Sequence, residues 1–318
     1  MSGSLHPAAR EQEARSRAEG FGGAAFVTGG GGFAGAHLLE LLPAATAPSR
    51  GSLDLLDADA VRAAVREAAP SAVWHLAAQA SVGRSWEAPA RTIAENVAMT
   101  ANVLEAVRSE APGATVVLIS SGEIYGPPDR LPVDEQAPLR PQNPYAVSKA
   151  ASDLLGGQYA DALDLGVVRL RPFNHTGPGQ SDDYVVGTLT RQVAEAEAAG
   201  QPEAVVHTGN PDSSRDFSDV RDVVRAYVAA AGLEPGVYNV ASGRAVSVRE
   251  LIELVRAAAR IPVRHEIDPA RVRAHDVPEV RGDASRLREA TGWAPSIPLE
   301  QTVADALDAW REALGASR

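Results

Sequence analysis

The chain has 318 residues, 45% of them hydrophobic, which is enough to bury the core of one large domain or one and a half smaller ones. A net charge of −11 argues against binding to a nucleic-acid backbone, and the lack of cysteine excludes disulfides, thiolate metal sites and cysteine nucleophiles. There is no apolar run near the roughly 18 residues of a membrane span, and the charged first twenty residues contain no hydrophobic signal peptide. The histidines show no metal-ligand spacing. We therefore expect a cytoplasmic protein without a metal site or a membrane span.

The first half of the chain alternates short apolar strands with helices. Apolar runs and periodicity predict a strand ending at Phe26 and Val27, strands at 72–76, 115–120 and 167–170, and helices at 36–42, 59–68, 89–109 and 144–163. Because each strand is apolar throughout, both faces of the sheet should be covered by helices. The pattern therefore predicts an α/β fold built on a doubly wound, parallel Rossmann sheet.

After Arg171 the pattern changes. Residues 172–183 are rich in Gly, Pro, Asn and Asp and are predicted as a loop. They are followed by a helix at 186–198, a strand at 204–207, a polar loop at 209–215, a helix at 219–231, a strand at 237–240 and helices at 248–259, 284–291 and 299–314. We expect a smaller C-terminal α/β substrate lobe across the carboxyl ends of the sheet, where such sheets bind ligands.

The predicted division of the chain has three parts. Residues 1–22 form a flexible tail, and residues 23–171 form the dinucleotide-binding Rossmann domain, to which 214–242 returns. Residues 172–213 and 243–318 form the substrate lobe.

A glycine cluster lies between the first strand and the first helix. Gly29 allows a tight turn, Gly32 lets the backbone approach a pyrophosphate, and Gly35 lets the helix pack on the strand. The helix N-terminus near Phe33 then presents free N–H groups to the phosphates. In this strand–turn–helix context the cluster predicts a dinucleotide site.

Further cofactor contacts are predicted downstream of the glycine cluster. Asp54, beside Leu55, can accept a hydrogen bond from an adenine amino group, whereas Asp57 is suited to cap the next helix. The segment Leu76, Ala77 and Ala78 follows a strand, and its small residues let the chain pass close to the dinucleotide. We interpret the preceding His75 as structural.

Tyr145 and Lys149 are four residues apart and so share one face of a helix. A nearby ammonium lowers the pKa of a phenol, so Tyr145 would exchange a proton with a carbonyl or alkoxide, and Lys149 can also hold a nicotinamide ribose. Ser121 ends an apolar strand and can hydrogen-bond the same oxygen. Taken singly, neither the pair nor the serine identifies a function.

Taken together, these motifs resemble the nucleotide-sugar-modifying branch of the extended short-chain dehydrogenase/reductase family. The glycine pattern, His-Leu-Ala-Ala, a Ser before Ile-Tyr-Gly and Tyr-x-x-x-Lys occur in the family's order between about Ala24 and Trp310. The resemblance implies an NAD(P)-dependent enzyme with Ser121, Tyr145 and Lys149 as its catalytic triad. It also implies a homodimer joined by a four-helix bundle of the helices at 89–109 and 144–163, and a structural or active-site role for Asn96.

The second half resembles GDP-4-keto-6-deoxy-D-mannose reductases, which are related to GDP-mannose 4,6-dehydratases. The matching segments are residues 171–180, 215–222, 237–243 and 291–299. The resemblance implies a nucleotide-diphosphate sugar as ligand, with a GDP-sugar favoured. Asn174 would bind the sugar or its phosphate, Arg215 and Arg273 the phosphates, and Asp276 the ribose hydroxyls; for each, an ordinary surface contact is the alternative.

The resemblance departs from the family where the cofactor is chosen. Segment 43–52 is poor in strand formers and has no acid to receive a ribose 2′-hydroxyl. Arg50 can meet a 2′-phosphate, which favours NADP(H), but a solvated loop arginine explains it as well, so NAD(H) stays open.

Two neighbouring residues bear on the reaction. Glu123 stands where the dehydratases have the base that removes the C5 proton, but Gly122 stands where they have an Asp or Ser that assists loss of the C6 hydroxyl. We therefore favour NAD(P)H-dependent reduction of the C4 keto group of GDP-4-keto-6-deoxy-D-mannose to GDP-6-deoxy-D-mannose. A 4,6-dehydratase, a C4 epimerase and a redox-inactive binding protein are the alternatives.

Overall fold

The computed structural model describes residues 21–272 and 277–316. Predicted residues 1–20 of the tail, and Arg273 and Asp276, lie outside this range. The strands, in chain order, are β1 (Ala25–Thr28), β2 (Ala72–His75), β3 (Thr115–Ile119), β4 (Val167–Pro172), β5 (Asn174–Thr176), β6 (Ala204–Thr208), β7 (Ser214–Asp219), β8 (Gly236–Val240), β9 (Ala245–Ser247), β10 (Val263–Ile267) and β11 (Glu279–Val280). The helices are α1 (Phe33–Leu41), α2 (Ala58–Ala68), α3 (Val82–Ser85), α4 (Pro89–Glu110), α5 (Pro144–Leu163), α6 (Val185–Ala198), α7 (Val220–Ala230), α8 (Val248–Ala258), α9 (Ser285–Thr291) and α10 (Leu299–Ala316).

The predicted parallel sheet is confirmed. Its strands lie in the order β1–β2–β3–β4–β8, and every neighbouring pair is parallel. Alternate strand residues face two apolar layers. Val27 and Trp74 pack with α1, α7 and α9, whereas Phe26 and Val73 pack with α2, α4 and α5. Helices therefore cover both faces, as the apolar strands require.

The second strand expected of a Rossmann sheet is reduced to a single bridge. Thr46 pairs in parallel with Phe26, and its backbone N–H donates to the Ala25 carbonyl at 2.9 Å. Within β1, the backbone of Ala25 and Val27 hydrogen-bonds Thr46, whereas the Thr28 carbonyl accepts from the segment that follows β2. The chain therefore runs from β1 to Thr46 on one side of β1 and then crosses to β2 on the other side. This crossover is the switch point at which open α/β sheets bind ligands.

The C-terminal half builds two small sheets around its own apolar core. β7 lies between β5 and β11 and also pairs with β9, and β6 pairs with β10. Helices α6, α8 and α10 pack over them. Helix α8 begins with a capping box, in which Ser247 and Glu250 satisfy each other's backbone N–H groups.

Several predicted bounds in this half are wrong. The predicted loop at 172–183 contains β5, the loop at 209–215 contains the start of β7, and the helix predicted from Asp219 begins at Val220, with Asp219 as its cap. β9, β10 and β11 were not predicted, because they are short or polar and are defined by pairing with distant strands.

Among the described residues, no helix combines the length and the apolarity needed to cross a lipid bilayer.

Candidate active site

The glycine cluster forms a tight turn against the segment that follows β2. Gly29 has a φ of +79°, and a Cβ there would lie 2.6 Å from the backbone nitrogen of Ala77. The Gly32 N–H donates to the Gly29 carbonyl at 3.0 Å, and a Cβ on Gly35 would lie 2.1 Å from the same oxygen. Backbone surrounds both glycines, so a side chain at either position would displace the turn.

The N-terminus of α1 opens above this turn. Helix α1 begins at Phe33 after Gly32, with no side-chain cap and no acid in its first turn. Its free N–H groups and the positive end of its dipole are therefore available to an anion. The chemistry and the shape of the turn fit the pyrophosphate of a dinucleotide.

The predicted adenine-side residues lie on the surface beyond the Thr46 bridge. Arg50 is exposed in a turn, and Asp54 is exposed with its Oδ1 accepting the Leu56 N–H at 3.0 Å. Leu55 is half-buried, as are Leu76, Ala77 and Ala78 beside the glycine turn. Asp57 caps α2 by accepting the N–H groups of residues 59 and 60, which confirms its predicted role.

Ser121, Tyr145 and Lys149 converge at the carboxyl end of β3. Ser121 follows β3 and accepts the Glu123 N–H through its Oγ at 3.2 Å. Asn143 caps α5 by accepting the Ala146 N–H at 2.8 Å, and this cap sets Tyr145 in the first turn. The Ser121 side chain is near enough to Tyr145 to act on its pKa.

The net pKa shift of Tyr145 is opposite to the one predicted from the sequence. Burial raises the pKa of Tyr145 above its usual range, and the Ser121 side chain opposes this only in part. The ammonium of Lys149 donates instead to the backbone carbonyl of Ile119. The resting tyrosine is therefore a neutral phenol.

Burial also governs Lys149, which is only 5% exposed. It lowers the pKa of the lysine to about 8, while the Asp153 carboxylate, one turn further along α5, acts to raise it. Asp153 is itself buried and accepts a two-pronged hydrogen bond from Arg171, at 2.9 and 2.8 Å. The sequence reasoning missed this residue, although its i+4 spacing from Lys149 was visible.

Two buried polar chains join α4 to its neighbours: one reaches α5, and the other reaches β1 and β2. Asn96 on α4 donates to Ser148 Oγ at 2.8 Å and accepts the Gln79 N–H at 2.8 Å. His75 contacts Thr28 Oγ1 at 2.7 Å through Nδ1 and Thr100 Oγ1 at 3.2 Å through Nε2. Burial lowers the pKa of His75 to about 3, so it is neutral, consistent with a structural role.

Gly122 faces an aromatic ring. A Cβ at position 122 would lie 3.2 Å from two ring atoms of Phe173, which is buried at the end of β4. Glu123 is exposed, and its charge is near enough to Tyr145 to raise that pKa further. Of the two positions that bear on the reaction, position 123 therefore has a carboxylate, and position 122 has a glycine packed against an aromatic ring.

The predicted substrate residues are dispersed over the second half. Asn174 is exposed at the start of β5. Arg215 in β7 donates through one nitrogen to the carbonyls of Ser214 and Val277, both at 2.8 Å, so part of its guanidinium already holds backbone.

Tyr184, ten residues after Asn174, was missed by sequence reasoning. Its hydroxyl approaches the Ala80 carbonyl at 3.5 Å, and its charge would raise the pKa of Tyr145. The neighbouring Asp183 pairs with Arg84 at 2.8 Å. The segment 174–184 therefore contacts the Rossmann domain beside Tyr145, although no local sequence signal indicates this contact.

The chain is similar to known nucleotide-sugar enzymes. The family model described as GDP-mannose 4,6 dehydratase matches residues 50–306. The chain is 40% identical to the GDP-6-deoxy-D-mannose reductase of Pseudomonas aeruginosa over 294 residues, which cover 90% of this chain and 96% of the relative.

Solved structures agree with this match. That of RMD from Pseudomonas aeruginosa complexed with NADPH has a TM-score of 0.83 and 37% identity, over 92% of this chain and 99% of the other. That of the Thermus thermophilus UDP-glucose 4-epimerase complex with NAD has a TM-score of 0.79 and 31% identity, over 91% and 99%. The chain belongs to the GDP-mannose 4,6-dehydratase family of extended short-chain dehydrogenases/reductases.

Proposed function

We propose that this protein catalyses NAD(P)H-dependent reduction of the C4 keto group of a nucleotide-linked 4-keto-6-deoxy sugar, converting GDP-4-keto-6-deoxy-D-mannose to GDP-6-deoxy-D-mannose. The observation that carries the proposal is the contact between Gly122 and Phe173. A side chain at position 122 would have to displace the Phe173 ring, so this arrangement does not favour an acid that would assist loss of a C6 hydroxyl, which a dehydratase requires and a reductase does not. The likeness to a GDP-6-deoxy-D-mannose reductase supports the same assignment.

The residues of the site suit proton donation in this direction. The nicotinamide cofactor supplies the hydride for C4. The neutral phenol of Tyr145 donates its proton to the oxygen that gains negative charge, and Ser121 hydrogen-bonds the same oxygen. Lys149, charged below a pKa of about 8, would favour the phenolate that remains and would hold the nicotinamide ribose.

The residues proposed to bind the cofactor and the nucleotide sugar are those that lie around Tyr145 and the glycine turn or in the C-terminal half. The turn of Gly29, Gly32, Phe33 and Gly35 would hold the cofactor pyrophosphate, with Asp54, Leu55 and residues 76–78 along the rest of the dinucleotide. Asn174 and Arg215 would bind the sugar diphosphate. Arg273 and Asp276 remain predictions, because they lie outside the described residues.

We further propose NADP(H) as the preferred cofactor, with NAD(H) as the alternative. Arg50 is exposed beside the degenerate second strand, where it can meet a 2′-phosphate. Replacement of Arg50 by Ala should raise the KM for NADPH about tenfold and change the KM for NADH by less than about twofold. Equal effects on both cofactors would remove Arg50 from this role.

A direct assay separates the candidate reactions. The protein is incubated with GDP-mannose alone, and separately with GDP-4-keto-6-deoxy-D-mannose and NADPH. A reductase oxidises NADPH only with the keto sugar, and the Tyr145→Phe variant should lose nearly all turnover while still binding NADPH. Unchanged turnover of this variant would refute the assignment of Tyr145.

A 4,6-dehydratase is the second candidate, because Glu123 supplies a carboxylate where that reaction needs a base. It would convert GDP-mannose to a keto sugar without added NADPH. Interconversion of C4 epimers would instead indicate an epimerase.

We also propose a cytoplasmic homodimer joined through α4 and α5. The outward face of α5 exposes Val147 at 38% and Leu154 at 61%, and these are large apolar side chains on a helix that otherwise packs against α4. Pairing two such faces would bury them in a four-helix bundle.

A further inference from the structure

The segment that carries Asn174 is attached to the helix that begins the dinucleotide cradle. The ring of His175 stacks on the ring of Phe33, with centroids 5.9 Å apart and planes within 1° of parallel. His37, one turn along α1, meets Phe33 edge-on at 5.7 Å. His37 Nε2 also donates a hydrogen bond to the Pro178 carbonyl at 2.9 Å, since a carbonyl can only accept. Phe33 and His37 of α1 thus contact the segment 174–180 at two points, His175 and Pro178.

This aromatic cluster of Phe33, His37 and His175 is sheltered from solvent. The His37 side chain is 13% exposed, and burial lowers the pKa of His175, which keeps its ring neutral. His175 Nδ1 lies 3.2 Å from the Phe173 carbonyl, so the ring is also fixed to the strand before Asn174. The cluster therefore holds the residues on either side of Asn174 in place.

Two side-chain hydrogen bonds cross-link the segment 175–180. Thr176 Oγ1 donates to Gln180 Oε1 at 2.6 Å, and Gln180 Nε2 donates to the His175 carbonyl at 2.8 Å. Gln180 is buried, so these bonds are shielded from water. A displacement of this segment at Pro178 would consequently also displace Asn174.

The other end of the cluster lies at the anion-binding helix terminus. Phe33 is the first residue of α1, and its backbone N–H belongs to the uncapped first turn, which would face the phosphates of a bound dinucleotide. The residue that would meet the pyrophosphate through its backbone therefore holds the substrate segment through its ring. A ligand that orders the first turn of α1 would also order the stack on His175.

We propose that His37 is a positioning residue that couples dinucleotide occupancy to the affinity for the nucleotide sugar, through the Phe33–His175 stack and the Pro178 carbonyl. The identity of the nucleotide sugar rests on the proposed function. Coupling of this kind is reciprocal, so the sugar nucleotide tightens the dinucleotide by the same factor.

Titration calorimetry tests the coupling. The Kd of GDP-mannose is measured without and with saturating NADPH, a pair that cannot react because GDP-mannose has no keto group to reduce. In the wild type we expect NADPH to tighten GDP-mannose by about fivefold or more. The His37→Leu variant keeps apolar volume but loses the donor, and should reduce this factor to below about twofold. The His37→Gln variant keeps an N–H donor and should retain most of it.

Controls separate positioning from structural damage. Glu40→Gln changes an exposed carboxylate that lies 3.7 Å from His37 on the same helix, and should leave the coupling factor unchanged. In steady state, His37→Leu should raise the KM for the keto sugar while kcat stays within about twofold. If His37→Leu does not fold, His175→Leu removes the stack from the other side and is judged by the same coupling factor.

Two results would overturn the proposal: a wild type in which NADPH does not change GDP-mannose affinity, or a His37→Leu variant with the wild-type factor. If GDP-mannose does not bind, the coupling factor is measured by the same criteria with GDP-6-deoxy-D-mannose, the proposed product, which NADPH cannot reduce. Binding of neither nucleotide sugar would refute both proposals.

Discussion

The glycine turn provides a sharp quantitative test at Gly35. The Gly35→Ala substitution adds one methyl group to α1, where alanine is intrinsically favoured over glycine by about 1 kcal/mol. In this protein the added Cβ would lie 2.1 Å from the Gly29 carbonyl oxygen and 2.8 Å from Gly30 Cα. Both neighbours are backbone, so the overlap is relieved only if α1 and the turn move apart.

The two effects have opposite signs. Overpacking of this kind costs about 1–3 kcal/mol, and a contact as short as 2.1 Å to a backbone oxygen belongs at the upper end. Subtracting the helix preference leaves a net loss of roughly 2 kcal/mol in the free energy of unfolding. Displacement of the α1 N-terminus from the phosphates should weaken NADPH binding by at least about tenfold, or roughly 1.4 kcal/mol.

Urea unfolding of the apo protein measures the first quantity, and fluorescence titration with NADPH measures the second. Gly31→Ala is the matched control for stability, because a Cβ at position 31 has nothing within 4 Å. It should change the free energy of unfolding by less than about 0.5 kcal/mol. A Gly35→Ala protein as stable as the wild type, with unchanged NADPH affinity, would refute the tight packing of the turn and its role in phosphate binding.

Other substitutions test the remaining parts of the site. Asp153→Asn removes a charge that raises the pKa of Lys149. In the wild type kcat/KM should fall with rising pH near pH 8, and in the variant this fall should move to lower pH. A pH profile that does not move would contradict the coupling of Asp153 to Lys149. Gly122→Asp should lose about 1–3 kcal/mol of stability against the Phe173 ring without gaining dehydration of GDP-mannose, as read by urea unfolding and product analysis. Leu154→Glu should convert a dimer to a monomer in light scattering, and a wild type that is already monomeric would refute the proposed bundle.

The Rossmann half could be predicted from the sequence because its determinants are local. Apolar runs mark β2, β3 and β4, and Asp57 caps α2 as expected. The strands of the second half are different. β9 has three residues and β11 two, and β10 alternates polar side chains, so only pairing with β6 or β7 makes them strands.

The candidate site shows the same contrast. The Tyr145 and Lys149 pair is visible as an i+4 spacing, and so was the overlooked Asp153. The hydrogen bond between His37 and the Pro178 carbonyl joins positions 141 residues apart, and no local sequence pattern predicts it. The pKa of Tyr145 was predicted in the wrong direction because burial, which sequence spacing does not report, outweighs the lowering effect of Ser121, and Glu123 acts in the same direction as burial.

The same electrostatics bear on the choice between reduction and dehydration. A dehydratase or an epimerase begins by oxidising C4, which requires Tyr145 to accept a proton, whereas a reductase begins with Tyr145 as donor. Burial keeps the phenol protonated, and the charge of Glu123 raises its pKa further. A buried neutral phenol suits the donor role in reduction, and the Glu123 carboxylate does not oppose that role. Together with the Phe173 ring against Gly122, this makes the presence of Glu123 compatible with a reductase.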